Sequence, residues 1–416
     1  MTLQHASDLT RRLNDYSSGR SHELVALTLM HFLVDLHSGM LPVILLYQRQ
    51  SLDLSLTQIG LLAGVYNFGL SLSQPFFGFM ADRWGPKKFA IGGLFWIALL
   101  GTGLGFAPTF LTLLLLATLA AFGSSSFHPA GASAAAHVKS LGRGSGMSIF
   151  LVGGSIGYAV GPLLASAVFE RIGLHGTLVI SSVALFLAAL LVILTNPFGV
   201  GEVRQTEGMN IKHELADLGI PVSILGAIIV LVVLSGARTW IYTGLSNFIP
   251  LQMTGLGFSR AQATYWLSTM LIINSAGVLV GGAIMDKFGP RNLVMMALFL
   301  LVPALFLVAY SNSGNIGIFS SLAGFLVGLP VAAILLIGQS YLPRGTSLAS
   351  GLILGISFTI GAIGVALTGW IADHVGLQVA LMVFGILALV AVCCGILLPQ
   401  KISLDSLEKL DQANLG

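Results

Sequence analysis

The chain is poor in charge. Its 416 residues carry 19 Lys+Arg and 16 Asp+Glu, so only 8% are charged, against about 25% in soluble domains. A water-soluble protein of this length could not cover its surface with so few charges. A disordered chain is excluded too, because disorder needs low hydrophobicity and 55% of these residues are apolar. Cysteine is nearly missing. Cys393 and Cys394 are adjacent in an apolar run, without metal-ligand spacing or a distant partner, so neither a disulfide framework nor a cysteine metal centre is expected. The net charge is only +3, and no basic patch offers itself to nucleic acid. No nucleophile–base cluster or metal set stands out, so the pattern is not that of an enzyme.

Long apolar runs are what remains. Twelve can be marked, near 23–47, 57–81, 89–107, 110–135, 145–169, 175–197, 221–250, 259–284, 292–310, 314–341, 347–371 and 377–398. A spanning helix needs about 20 apolar residues. Hydrocarbon cannot satisfy open backbone groups, and the runs lack the alternation of a membrane β-barrel. The expected fold is therefore an all-α membrane protein with 12 transmembrane helices. Residues 1–22 are polar and read as a cytoplasmic leader rather than a cleavable signal. The longest polar stretch, 198–220, reads as a cytoplasmic linker between six-helix bundles at 23–197 and 221–398. Residues 399–416 read as a cytoplasmic tail. With both termini inside, three of the 19 Lys and Arg (Arg49, Arg171, Arg260) fall in outer loops and one (Arg238) inside a span. All others are cytoplasmic, as the positive-inside rule requires. A multi-pass protein of a bacterial-type inner membrane is expected, with lipid as its surroundings and a monomer as its form.

One pattern occurs four times: a small residue, three others, an acid, a base, one more residue, then Gly. It runs Gly78 to Gly85 with Asp82 and Arg83, and Ser166 to Gly173 with Glu170 and Arg171. It returns from Gly282 to Gly289 with Asp286 and Lys287, and from Gly369 to Gly376 with Asp373 and His374. The first and third copies start 204 residues apart, the second and fourth 203; within each half the spacing is 88 and 87. This is a three-helix unit used four times, with neighbours inverted: two pseudo-symmetric bundles, each of 3+3 inverted repeats. Such nested repeats characterise secondary transporters, whose site lies near the midplane.

Ionisable residues inside spans are costly and default to function. Asp35 lies about 12 residues into the first span and Arg238 midway along the seventh, 203 residues later. They are therefore equivalent positions of the two halves. Asp35 reads as a proton-carrying acid, and Arg238 as its counter-charge or an anion anchor; a fixed structural ion pair is the alternative. His31 precedes Asp35 by four and shares its helix face. His37 points elsewhere. His128, in Phe127-His128-Pro129, is a further candidate for proton relay. Span five carries Gly153, Gly154, Gly157, Gly161 and Pro162. Its small residues at four-residue spacing allow close helix approach, and Pro162 is expected to add a kink. Tyr66, Phe68, Phe127, Tyr158, Trp240, Tyr242 and Trp266 are candidates to line an amphipathic cavity, with packing as the alternative.

The segment Gly78-Phe-Met-Ala-Asp82-Arg83-Trp-Gly85-Pro-Lys87-Lys88 resembles the signature loop of the major facilitator superfamily, and Gly282 to Arg291 resembles its second copy. The resemblance covers essentially the whole chain. It implies a cytoplasmic latch formed by Gly78, Asp82, Arg83, Gly85, Lys87, Lys88, Asp286, Lys287, Gly289 and Arg291. His31-Phe-Leu-Val-Asp35, Gly123 to Pro129, Ser148 to Gly154, Arg238 to Gly244 and Phe248 to Leu251 are similar to the fosmidomycin-resistance branch. Gly157 to Pro162 partly resembles the span-five signature of proton-driven exporters. These resemblances imply alternating-access export of a drug or an anionic, phosphonate-like compound. The proton is the coupling ion, no cofactor is needed, and Asp35, His31, His128 and Arg238 are the coupling and binding groups. A proton symporter for an anionic metabolite is the alternative, and an uncoupled receptor or scramblase a further one. The branch often has an acid after the His-Pro pair; Ala130 stands there in this chain.

Overall fold

The computed structural model describes residues 3–137, 143–195, 222–341 and 346–398. Their regular structure is helical. The first half contains α1 (Leu3–Ser51), α2 (Leu56–Leu72), α3 (Gln74–Trp84), α4 (Pro86–Leu104), α5 (Phe110–His137), α6 (Arg143–Ile172), a 3-10 turn (Gly173–His175) and α7 (Gly176–Thr195). The second contains α8 (Val222–Gly255), α9 (Arg260–Phe288), α10 (Pro290–Ala309), α11 (Ile316–Gly328), α12 (Val331–Tyr341), α13 (Thr346–Val375) and α14 (Leu377–Leu397). The expected linker and tail lie outside the described residues, as do the side chains of leader residues 1–21; the leader's backbone belongs to α1 from Leu3.

Among the described residues, ten helical stretches are long and apolar enough to cross a membrane, where the sequence suggested twelve runs. One difference is a join: α6 and α7 form a single apolar stretch, Ile149–Leu194, interrupted only by the 3-10 turn. The other is a break. The run at 57–81 is two helices, because Pro75 starts α3 and cannot donate a backbone hydrogen bond into the preceding turn. Ser73 at the break donates its hydroxyl to the Gly69 carbonyl, and its oxygen shares a 2.7 Å hydrogen bond with Ser125 Oγ. Pro330 divides α11 from α12 in the same way. Pro162, by contrast, lies inside an uninterrupted α6.

Packing divides the chain into two compact units, Met1–Asp53 with Gly69–Gly208, and Leu54–Phe68 with Met209–Gly416. The division differs from the sequence boundaries at Leu54–Phe68, which the apolar runs alone would leave in the first bundle. Small residues explain it. Methyl groups at Gly60 and Gly64 would overlap the Val365 and Ala362 carbonyls, so this part of α2 lies directly against α13.

In the first unit α1 and α6 meet backbone to backbone. Added methyl groups at Gly153, Gly157 and Gly161 would overlap the carbonyls of Thr28, Phe32 and Leu36, and one at Gly39 that of Tyr158. Two four-residue periods therefore mesh, as small residues permit between membrane helices. Beside this seam the core gathers Leu27, Met30, Val34, Leu94, Ile97, Phe127 and Phe150, all nearly inaccessible.

The fourfold motif has a shared local cause. Its closing glycines, Gly85, Gly173, Gly289 and Gly376, have φ of 91°, 68°, 80° and 95°. This left-handed backbone strains any residue with a Cβ. At three of them the amide closes the preceding helix by donating to Ala81, Met285 or Ala372. Pro86 and Pro290 then open the next helices, where a missing N–H costs nothing.

Gly157→Val should lower the thermal unfolding midpoint of the detergent-solubilised protein, because overpacking costs about 1–3 kcal/mol. Gly92→Ala, with open space around its Cα, should leave it unchanged or raise it. Equal midpoints for the Gly157 variant and the parent would show that the α1–α6 seam is not tightly packed.

Candidate functional site

Asp35 and His31 stand one turn apart on α1, and His128 reaches them from α5. His31 Nε2 lies 3.2 Å from Asp35 Oδ2, and His128 Nε2 lies 3.1 Å from Asp35 Oδ1. The carboxylate thus sits between two imidazoles, one on each oxygen. His31 is 3% exposed. Its ring stacks on Phe150 at 4.1 Å and meets the His128 ring edge-on at 5.1 Å. The His128 side chain is 25% exposed and that of Asp35 16%, so the cluster opens on the His128 side.

The other ring nitrogens decide what this cluster can do. His31 Nδ1 is 2.8 Å from the Phe150 carbonyl, and His128 Nδ1 is 2.7 Å from the Ser124 carbonyl. A carbonyl oxygen only accepts, so both Nδ1 atoms carry hydrogen. Each Nε2 therefore faces Asp35 either with a proton or with a bare lone pair. A lone pair opposite a carboxylate oxygen is repulsive, so each contact calls for one proton or a shared cation. His31 Nε2 is buried and has no hydrogen-bond partner besides its 3.2 Å contact with Asp35. The three donor groups offer ligand atoms within 4.8 Å of one another and could hold a metal ion.

Gly154 forms the floor. A Cβ there would lie 2.5 Å from Asp35 Oδ2 and would press equally on the His31 ring. Without a side chain at Gly154, α6 approaches these groups directly. Gly78, the first residue of the expected latch, packs against Pro129 next to His128. His37 lies apart, bonded to the Leu33 carbonyl at 2.7 Å and Ser181 Oγ at 3.2 Å.

Arg238 is 9% exposed in the second unit. It donates to the Val327 carbonyl at 3.4 Å and to Thr239 Oγ1 at 3.2 Å, while its Nε has no hydrogen-bond partner. These long contacts leave donor capacity on a buried guanidinium, which suits an anion anchor. Within the first unit, the groups paired with the Asp35 carboxylate are His31 and His128. Three aromatic candidates are packing residues. Phe127 is in the core, Trp240 donates to Thr368 Oγ1 at 2.8 Å, and Trp266 lies over Gly317.

At the expected latch Asp82, Arg83, Lys87, Lys88 and Lys287 are exposed. Partial burial pushes the Asp82 carboxyl above the usual carboxylate range. Asp286 falls in α9, with its side chain outside the described residues. Arg291 donates to the Ile396 carbonyl at 3.0 Å, a favourable cation at the C-terminal end of α14. The fourth copy of the motif holds a residue that sequence reasoning passed over. Asp373 accepts the Leu56 N–H at 2.9 Å on Oδ1, and the Thr57 N–H and hydroxyl, each at 2.6 Å, on Oδ2. It caps the positive end of α2. The repeat itself was the signal, since Asp373 aligns with Asp82.

The described residues form helical bundles with stretches of membrane length and a partly buried acid between two histidines, the make-up of a multi-pass membrane protein. The Major Facilitator Superfamily profile matches residues 27–347, and the chain belongs to that family; it is a transporter-family protein and not an enzyme. It is 28% identical over 368 residues to the Fosmidomycin resistance protein of Escherichia coli (strain K12), covering 88% of this chain and 90% of that one. It is 24% identical over 398 residues to the Cis,cis-muconate transport protein of Acinetobacter baylyi, covering 89% and 93%. Among solved structures, a bacterial homolog to the human lysosomal transporter Spinster, inward-facing and occupied, superposes with a TM-score of 0.75. It has 17% identity and covers 91% of this chain and 96% of that one. This similarity establishes the fold.

Replacing Asp373 with Ala should cost about 1 kcal/mol, the usual worth of a helix cap, read as a lower midpoint in detergent. Asp373→Asn should recover part of the loss by keeping an acceptor. An Ala variant as stable as the parent would show that the cap contributes nothing.

Proposed function

We propose that this chain is a proton-coupled secondary transporter that exports a small molecule by alternating access. It sits in a bacterial-type inner membrane as a monomer with both termini cytoplasmic. In this reading the helices form twelve spans in two pseudo-symmetric bundles of 3+3 inverted repeats, with the loop at Gly78–Lys88 and its copy at Gly282–Arg291 as the cytoplasmic latch.

The observation that carries the reading is Asp35 held between His31 and His128 on membrane-spanning helices. Buried ion pairs are weak devices for stability, and intramembrane ionisable groups mark proton pathways. Each nitrogen–oxygen contact stores one proton. With both loaded the cluster carries one net positive charge, and releasing one makes it neutral. Two unit charges about 4 Å apart interact by about 4 kcal/mol at an effective dielectric of about 20. One proton is therefore enough to shift a two-state equilibrium. Substrate entering on the His128 side and the stored protons alter each other's binding, which links passage of the substrate to proton movement.

Arg238 favours a substrate with an anionic group. The relative named for fosmidomycin resistance supports a phosphonate antibiotic as the exported compound. A second reading, proton symport of an anionic metabolite, is favoured by the muconate transport relative, because muconate is a dicarboxylate. The direction of proton flow when substrate is added to proteoliposomes separates the two.

Cells overproducing the protein should tolerate more fosmidomycin than cells carrying an empty vector. Asp35→Asn, present in the membrane at equal amount by immunoblot, should remove the difference. Full protection by the Asn variant would contradict proton coupling through Asp35.

A further inference from the structure

We propose that His31, Asp35 and His128 form a binding site for a divalent transition-metal ion of the zinc type. The proposal does not depend on proton-driven export.

Four observations carry it. The donor set is two imidazoles and one carboxylate, whose ligand atoms lie within 4.8 Å of one another. Imidazole-rich sites favour zinc-like ions over magnesium and calcium. Both histidines commit Nδ1–H to a backbone carbonyl, of Phe150 and of Ser124. Metal-ligating histidines are oriented this way, with the second nitrogen turned to the ion. His31 Nε2 is buried, has no hydrogen-bond partner besides its contact with Asp35, and is one of the grouped ligand atoms. Finally, Gly154 leaves the floor free of side chain, and the partly exposed His128 provides an entry path.

Charge points the same way. Two neutral Nε2 lone pairs and an anionic carboxylate repel one another, and a dication at their centre turns each repulsion into a bond. Zinc takes nitrogen and oxygen ligands at about 2.0–2.2 Å, so the three side chains close slightly around it. Three protein ligands leave a coordination position open on the His128 side for water or for an anionic oxygen donor. The ion and protons compete for the same lone pairs, and metal binding releases protons.

The test uses the full chain without an affinity tag, purified in detergent and stripped with a chelator. Zinc chloride is titrated calorimetrically at neutral pH. One zinc per chain is expected. His31→Gln and His128→Gln should each weaken it at least tenfold, while His175→Gln, an exposed histidine of the 3-10 turn, should bind as the parent does. His128→Cys with Co²⁺ guards against variants that fail to fold: it should bind and gain a thiolate-to-metal absorption band missing from the parent. Absence of stoichiometric zinc binding in the parent would overturn the proposal. So would undiminished binding in both Gln variants, or Co²⁺ binding by His128→Cys without the thiolate band. Proton coupling is read independently, from Asp35→Asn in cells, so either claim can fail alone.

Discussion

Two backbone carbonyls, those of Phe150 and Ser124, set the chemistry of the first unit. By accepting Nδ1–H from His31 and His128 they turn both Nε2 atoms towards Asp35. Without them each ring could present an N–H to the carboxylate in its neutral form, and the cluster would be a satisfied polar network. With them, the contacts are filled only by bound protons or by a cation. The cluster is thus a store for positive charge, placed where the surroundings make that charge matter.

The same constraint ties chemistry to packing. Phe150 and Gly154 both belong to α6, and α6 meets α1 through glycines that bring backbones into contact. A displacement of α6 along α1 shifts the carbonyl that orients His31 and the glycine that floors Asp35 together. Ser124 is one turn from His128 on α5, so the His128 contact travels with its own helix. The two histidines therefore respond differently to helix movement, which is what a carrier needs if its affinity for protons is to change between states. The fourfold motif supplies rigid corners for such movement, since its positive-φ glycines fix where each helix stops.

Much of this was legible in the sequence. The scarcity of charge and the apolar runs established a helical membrane protein, and four copies of one motif pointed to repeats. His31 and Asp35 were paired by their spacing of four on a helix. His128 could be singled out as an intramembrane histidine, but its contact with Asp35 joins residues 93 positions apart and needs the tertiary packing of α5 on α1. The offset of 203 between Asp35 and Arg238 reports equivalence under the repeat, which is a different property from contact. Breaks at Ser73 and Pro330 were hidden because apolar composition runs through them. Asp373 was visible as a repeat member, yet its role as a cap on α2 depends on how α13 meets that helix end.

The central claim is that Nδ1 of both histidines is fixed as a donor while Nε2 and Asp35 share exchangeable protons. Nitrogen NMR of selectively labelled His31 and His128 in the metal-free protein addresses it directly. Nδ1 of both rings should stay protonated across the pH range, any large change should appear at Nε2, and Asp35→Asn should alter the Nε2 signals of both rings. Rings that carry their neutral-form proton on Nε2, or that titrate identically in the Asn variant, would contradict it.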